Sequence, residues 1–276
     1  MSSVGETSKT PVAPPLSSLF PADSLSDALL RPSPFLDKLS RWLSTVIGTD
    51  QLIMLVQYTL DIITHHMNAH TLSKLVIATG NLLPFPPHPA INLSTSPSPL
   101  SMRLDLLSQR LADARIFLRL HGIIPTYNWL LSVHDSPPSD PTLATVAKLQ
   151  TYANMFYFPL ENAAYLASHN ILPLNKRLET DLWLWSCRFW ACHVALEFVR
   201  LYRERQIRTK GKGKARSEED DRAWKRTWWA SLVMNLAYAP QTIHWSLEGG
   251  LFSVVNVAYL GLISGAAATY LGWQHL

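Results

Sequence analysis

The feature that most constrains this chain is its end. Leu251 to Leu271 reads LFSVVNVAYLGLISGAAATYL, 21 residues without a charge, with glycine and alanine where a core helix would place leucine. A bilayer core of about 30 Å needs roughly 20 helical residues. The preceding segment, Thr227 to Leu247, meets the same length without an Asp, Glu, Lys or Arg, and only Glu248-Gly249-Gly250 separates the two. The pair reads as a transmembrane helical hairpin. Trp228, Trp229 and Trp245 bracket its first arm, and Tyr270 and Trp273 close its second, as an aromatic belt requires. At about 100° per residue, Gly261, Ser264, Gly265, Ala268 and Gly272 share one face of the second arm. Such a stripe lets two backbones approach closely, and it is assigned to helix packing and oligomerisation. The competing reading is a buried hairpin inside a soluble bundle.

Composition favours lipid. Charged residues make up 16% of the 276 residues, against roughly 25% in ordinary soluble domains. The basic excess is local: Arg200 to Arg226 holds eleven Lys/Arg against five Asp/Glu. Beside an apolar hairpin, that cluster marks a membrane flank rather than a nucleic-acid surface, and the positive-inside tendency places it in the cytosol, with both termini on that side. Two cysteines, Cys187 and Cys192, are too few for a zinc site or a secreted disulfide framework. The N-terminus carries no signal-peptide or transit-peptide pattern, so membrane targeting is expected to be internal. The final Gln-His-Leu only faintly echoes the peroxisomal Ser-Lys-Leu signal.

Prolines and glycines divide the rest into helices. Residues 1–32 are Ser/Pro-rich and read as a disordered tail. A helical region, 33–205, follows. Ser33-Pro34 opens its first helix, Asp50 is expected to cap a second that ends at Gly80, and a proline-rich loop leads to a third over 102–121. Asp140-Pro141 starts a fourth, expected to kink at Pro159, and a fifth covers Lys176 to Arg205. A flexible charged loop, 206–222, precedes the membrane hairpin, 223–276. No segment alternates with a period of two residues. The fold class is all-α, a membrane-associated helical bundle.

The third helix reads as amphipathic. Leu104, Leu107, Leu111, Ala114 and Leu118 line one face, flanked by Arg115 and Arg119 on one side and Arg103 and Arg110 on the other. Arginines beside an apolar stripe bury their stems while their heads meet lipid phosphate, so anionic phospholipid is the expected partner. Leu106, Ile116 and Phe117 lie off the stripe and suggest packing against a partner as well. A solvated bundle helix is the alternative.

Signs of chemistry are sparse. The GKGK run lacks a P-loop's pattern, and no nucleophile elbow is present. His66 and His70 stand one helical turn apart without a third ligand, so no metal, cofactor or enzymatic activity is expected. Glu161 and Arg188 are expected to pair with each other or with backbone. Several motifs, in order, resemble the peroxin-eleven family of peroxisomal membrane proteins: TDQLIMLVQYTLDII, with Asp50, Gln57 and Tyr58 matching; ARIFLRLHG; FPLENAAYLA; WSCRFWAC; and VAYLGLISGAAATYLGW. Gln51 and Met54 stand where that family has basic residues, and NLAYAPQTIHWSLEGG leans towards its divergent fungal branch. The resemblance, spanning Phe35 to Trp273, implies a peroxisomal membrane protein that elongates and divides the organelle. It further implies an amphipathic helix inserted in the cytosolic leaflet, self-association, and contact with fission machinery and the membrane-protein import receptor. The rival readings are a small-solute channel lined by Glu161, Arg188 and Asn256, and a soluble scaffold that recruits partners through the basic loop.

Overall fold

A computed structural model describes residues 33–67, 98–211 and 217–274. The chain divides into two compact units, Met1–Arg41 and Trp42–Leu276. The described secondary structure is all-α: α1 (Pro34–Leu43), α2 (Val46–Met67), α3 (Pro99–Leu118), α4 (Ile123–Asp135), α5 (Pro141–Ser168), α6 (Lys176–Lys210), α7 (Glu218–Trp245) and α8 (Val254–Gln274).

Helix starts follow local chemistry. Ser98 Oγ accepts the Ser101 N–H at 3.1 Å, and Pro99 fills the first turn of α3, where no N–H partner is needed. Asp140 Oδ1 accepts from Thr142 and Leu143 ahead of α5, both at 3.1 Å. Asn175 caps α6, and Ser217 caps α7, whose first turn holds Glu218, Glu219, Asp220 and Asp221 against the positive end of its dipole. The α7–α8 turn uses left-handed Gly249 and Gly250 (φ 82° and 69°). His244 Nδ1 fastens it by accepting the N–H groups of Leu251 at 2.7 Å and Phe252 at 2.9 Å.

Several boundaries differ from those expected. The second helix begins at Val46, because the Thr45 hydroxyl accepts the Gly48 N–H at 3.0 Å and does the capping. Asp50 therefore sits one turn inside α2 and does other work. The expected end at Gly80 and most of the proline-rich loop lie outside the described residues. Helix α4 was not expected at all. Gly122 reads as a terminator, yet its carbonyl accepts the Thr126 hydroxyl at 2.8 Å as the chain restarts, and Pro125 falls in a first turn that tolerates it. The charged stretch 206–222 is partly helical: α6 continues to Lys210 and α7 begins at Glu218. Pro159 and Pro240 both lie within helices.

In the second unit the helices pack as a curled row. The order is α3, α2, α8, α7, α6, α5, with α4 on α5. The row meets itself where Arg119, at the end of α3, grips Glu161 of α5 and Asn162 Nδ2 donates to the Leu120 carbonyl at 2.9 Å. What it encloses is unusually rich in polar side chains, which among the described residues are about as numerous as the buried apolar ones. Among the described residues, the largest almost fully buried side chains are Leu201, Gln150, Gln241, Asn235, Thr151, Thr242, Ser186 and Ser264, of which Leu201 alone is apolar. The outside is the reverse. Helix α7 exposes Trp229, Val233, Leu236 and Ile243 in one row while burying Ser231, Asn235 and Gln241. A water-soluble bundle has the opposite arrangement. Two helices, α2 and α8, are long and apolar enough to cross a bilayer. The first arm of the expected hairpin is not one of them, because α7 carries its inward polar row along with its apolar one.

Candidate functional site

A cavity of about 590 Å³ lies within the curled row, lined by residues of α2, α3, α5, α6 and α7 and by Arg119 just beyond α3. Its charges come as two pairs. Arg115 Nε donates to Asp50 Oδ1 at 3.0 Å, Arg115 Nη1 donates to Gln57 Oε1 at 2.9 Å, and the guanidinium lies 5.7 Å from the Tyr58 ring centre. One turn on, Arg119 holds Glu161 through both oxygens, at 2.8 and 3.2 Å. Tyr157 donates its hydroxyl to the same carboxylate at 2.7 Å. Each charge is thus compensated, as burial demands. Aromatic rings make the rest of the wall: Trp190 stacks on Trp245 at 5.7 Å and meets Tyr238 edge-on at 5.3 Å.

The remaining lining is neutral. Burial holds the His193 imidazole below its ordinary value, so it is uncharged at pH 7, and Asn154 lies 3.1 Å from its Nδ1. Burial also pushes the Cys187 thiol up to about 11, which leaves no thiolate to act as a nucleophile. Gln241, 0% exposed, donates Nε2 to the Ala237 carbonyl at 3.1 Å and to Ser264 Oγ at 3.3 Å, but its Oε1 is buried without a partner.

The amphipathic-helix residues divide. Arg115 and Arg119 do not flank a lipid-facing stripe; they turn inward, because α2 and α5 place carboxylates within reach. Leu104, Leu111 and Leu118 are half-buried, and Ser101 and Ser108 are buried on the same side, Ser108 donating to Asp61. Leu107, Arg103 and Arg110 are exposed, beside Leu106 and Phe117. The outward face of α3 is thus rotated away from the expected one.

The small-residue stripe is already occupied. Gly261, Ser264, Gly265 and Ala268 are buried; a Cβ on Gly261 would collide with the Tyr58 ring, and one on Gly265 would stand 3.2 Å from Leu55. Gly272, half-buried, faces Gln51 and Trp42. The stripe therefore packs α8 on α2 of its own chain. Of the suggested pore residues only Glu161 reaches the cavity. Arg188 donates to the Ser246 carbonyl at 3.3 Å and lies over Trp185, so it pairs with backbone and not with Glu161, while Asn256 is exposed on α8. His66 Nε2 is 2.8 Å from the Tyr259 hydroxyl, and His70 lies outside the described residues.

Sequence reasoning overlooked the lining residues Asn154, Tyr157, His193 and Gln241. The available signal was polar residues recurring at helical spacing inside otherwise apolar segments.

This arrangement defines a class: a helical protein with a charge-balanced interior rich in polar groups and an exterior rich in exposed apolar side chains. The particular family follows from comparison with known proteins. Residues 91–273 match the family profile of peroxisomal biogenesis factor 11, and the chain belongs to that family. An uncharacterized protein of Schizosaccharomyces pombe is 30% identical over 164 residues, which is 59% of this chain and 73% of that one. No solved structure matches. The profile covers α3 to α8, so the Asp50–Tyr58 motif lies outside the matched stretch. Membership makes this chain a peroxisome-biogenesis factor with a role in peroxisome proliferation and division.

Proposed function

We propose that the protein resides in the peroxisomal membrane and elongates and divides the organelle by expanding the cytosolic leaflet. The observation that carries this reading is the inverted burial, with polar side chains inside and apolar rows outside. In lipid, such rows need no partner, while each buried polar group needs one. The α7–α8 hairpin is the proposed membrane element, α7 crossing with its polar row turned inward against its neighbours, and two crossings return the chain to the side it started from. The ionic ends of α6 and α7, with Arg200 bound to Glu197 and Glu204, lie on the cytosolic side with both termini.

Helix α3 acts as the wedge through its observed outward face. Leu106, Leu107 and Phe117 enter the acyl boundary, and Arg103 and Arg110 meet anionic headgroups, each contributing about 1 kcal/mol. Self-association uses the outward row of α7, since the glycine stripe is filled by α2. Organelle fission machinery and a membrane-protein import receptor are the further partners.

The test is expression of the full chain beside a peroxisomal marker. Wild type should elongate and multiply peroxisomes and resist alkaline carbonate extraction. Leu106→Glu/Leu107→Glu/Phe117→Glu should remain in the carbonate pellet but abolish elongation. Release of the wild type by carbonate would sink the membrane reading, and undiminished elongation by the triple variant would sink the wedge.

A further inference from the structure

The turn between α7 and α8 is closed by one imidazole. His244 Nδ1 accepts the N–H groups of both Leu251 and Phe252, and both bonds are exposed, so protons can reach the ring. We propose that His244 is a pH-sensitive latch, which holds the turn closed while the ring is neutral and releases it when the ring takes up a proton. Histidine is the side chain whose ordinary titration falls between about pH 5 and 8. The compartment whose pH the latch would report rests on the hairpin reading above, which puts this turn on the side away from the cytosol.

The geometry allows one protonation state. A nitrogen that accepts two N–H groups carries no proton, so the neutral ring must hold its proton on Nε2. An imidazolium has N–H on both nitrogens and accepts nothing. Protonation therefore sets a third donor against two others, and both amides lose their partner together. The turn is shaped around the ring: a Cβ on Gly250 would stand 2.2 Å from its Cε1 and 2.6 Å from its Nδ1. Left-handed Gly249 and Gly250 bring the two amides round to it, and the Phe252 ring stacks on it at 5.9 Å. Little else holds this stretch, since Leu251, Phe252 and Val254 are all exposed. The other charged or titratable groups on the packed elements are Glu248, exposed in the turn; Arg188 of α6, held on the Ser246 carbonyl; and His66 of α2, bonded to Tyr259 of α8.

The experiment follows hydrogen exchange of the full chain in dodecyl maltoside, as protection of Leu251 and Phe252 relative to an unstructured peptide at each pH. Wild type should lose about tenfold in protection between about pH 7.5 and pH 5, as the net loss of one hydrogen bond implies. His244→Asn carries an amide oxygen close to the position of Nδ1 and does not titrate, so its protection should stay constant across the range. His244→Phe keeps a ring without an acceptor and should be unprotected throughout, with circular dichroism confirming its helices. Glu248→Gln and His66→Gln should behave as wild type. Constant wild-type protection, a pH-dependent loss that persists in His244→Phe or His244→Asn, or a loss abolished by Glu248→Gln or His66→Gln would each overturn the latch. Exchange is read in detergent, so failure of the latch is distinct from failure of the membrane reading, which carbonate extraction decides.

Discussion

Two arginine–carboxylate pairs in this molecule look alike on paper and are built for different surroundings. Arg119 holds Glu161 at the seam between α3 and α5, with the Glu161 side chain 6% exposed and Tyr157 adding a third bond. Arg203 holds Asp140 at the start of α5 through three contacts of 2.8 to 3.2 Å, beside the ionic ladder of α6. The first pair is a closure: without it the helical row has an open edge and a charge left inside. The second reinforces a helix cap that Thr142 and Leu143 already satisfy. Identical chemistry is thus structural at the seam and auxiliary at the rim.

Removing the seam carboxylate should have the largest effect. Glu161→Gln keeps the volume and the Tyr157 bond but leaves Arg119 uncompensated, at a cost of about 3–5 kcal/mol for a broken buried pair. Thermal unfolding in detergent should register it as a large fall in Tm. Replacing both partners, Arg119→Met with Glu161→Met, should recover most of the loss, since an apolar pair incurs no desolvation penalty. A double variant as unstable as the single one would show that the pair is not the closure described here.

The wall beside the seam comes next. Tyr58 lines the cavity and lies directly over Gly261. Gly261→Val should push the ring and separate α2 from α8, costing about 1–3 kcal/mol as overpacking does. Combining it with Tyr58→Leu should restore part of the stability. An unchanged Tm in Gly261→Val alone would mean that α8 does not approach α2 as closely as the structure has it.

These elements were legible to different degrees. The all-α class, the caps at Asp140-Pro141 and Ser33-Pro34, and the last two helices could be read directly, because apolar periodicity and turn residues are local properties. The faces could not. Leu104 to Leu118 forms a proper apolar stripe, and one-dimensional reasoning turns such a stripe towards lipid. The structure instead turns inward the side bearing Ser101, Ser108 and Arg115, because Asp50 and Glu161, 65 and 42 residues away from their arginines, satisfy Arg115 and Arg119. Pairing at that separation has no local signature. The same logic hid Gln241: an isolated polar residue in an apolar segment reads as a defect until its neighbours are known. Helix α4 escaped because Gly122 and Pro125, two helix breakers, sit where a first turn tolerates them.

The rim pair should respond more weakly and in its own way. The Arg203 guanidinium bonded to Asp140 holds that carboxyl below its ordinary value of 3.8, and the Leu143 and Thr142 N–H groups act in the same direction. A depressed folded value stabilises the protein above the unfolded value and stops doing so as pH falls through the folded one. The Asp140 contribution should therefore be whole at pH 7, begin to fall near the ordinary carboxylate value of 3.8, and be gone only below the depressed folded value. Asp140→Asn retains the cap but not the ion pair, so its Tm deficit should be small at pH 7, shrink at high salt where exposed charges are screened, and vanish in acid. The Glu161→Gln deficit should be less sensitive to salt, because the Glu161 side chain is 6% exposed and buried pairs are screened much less than exposed ones. At the bottom of the scale stands Arg41–Asp37 on α1, 3.3 Å apart with both side chains more than half exposed. Asp37→Asn should leave Tm unchanged at any salt concentration. A salt-sensitive deficit there as large as that of Asp140→Asn would erase the distinction between a pair that supports a helix start and one that merely sits on a helix surface.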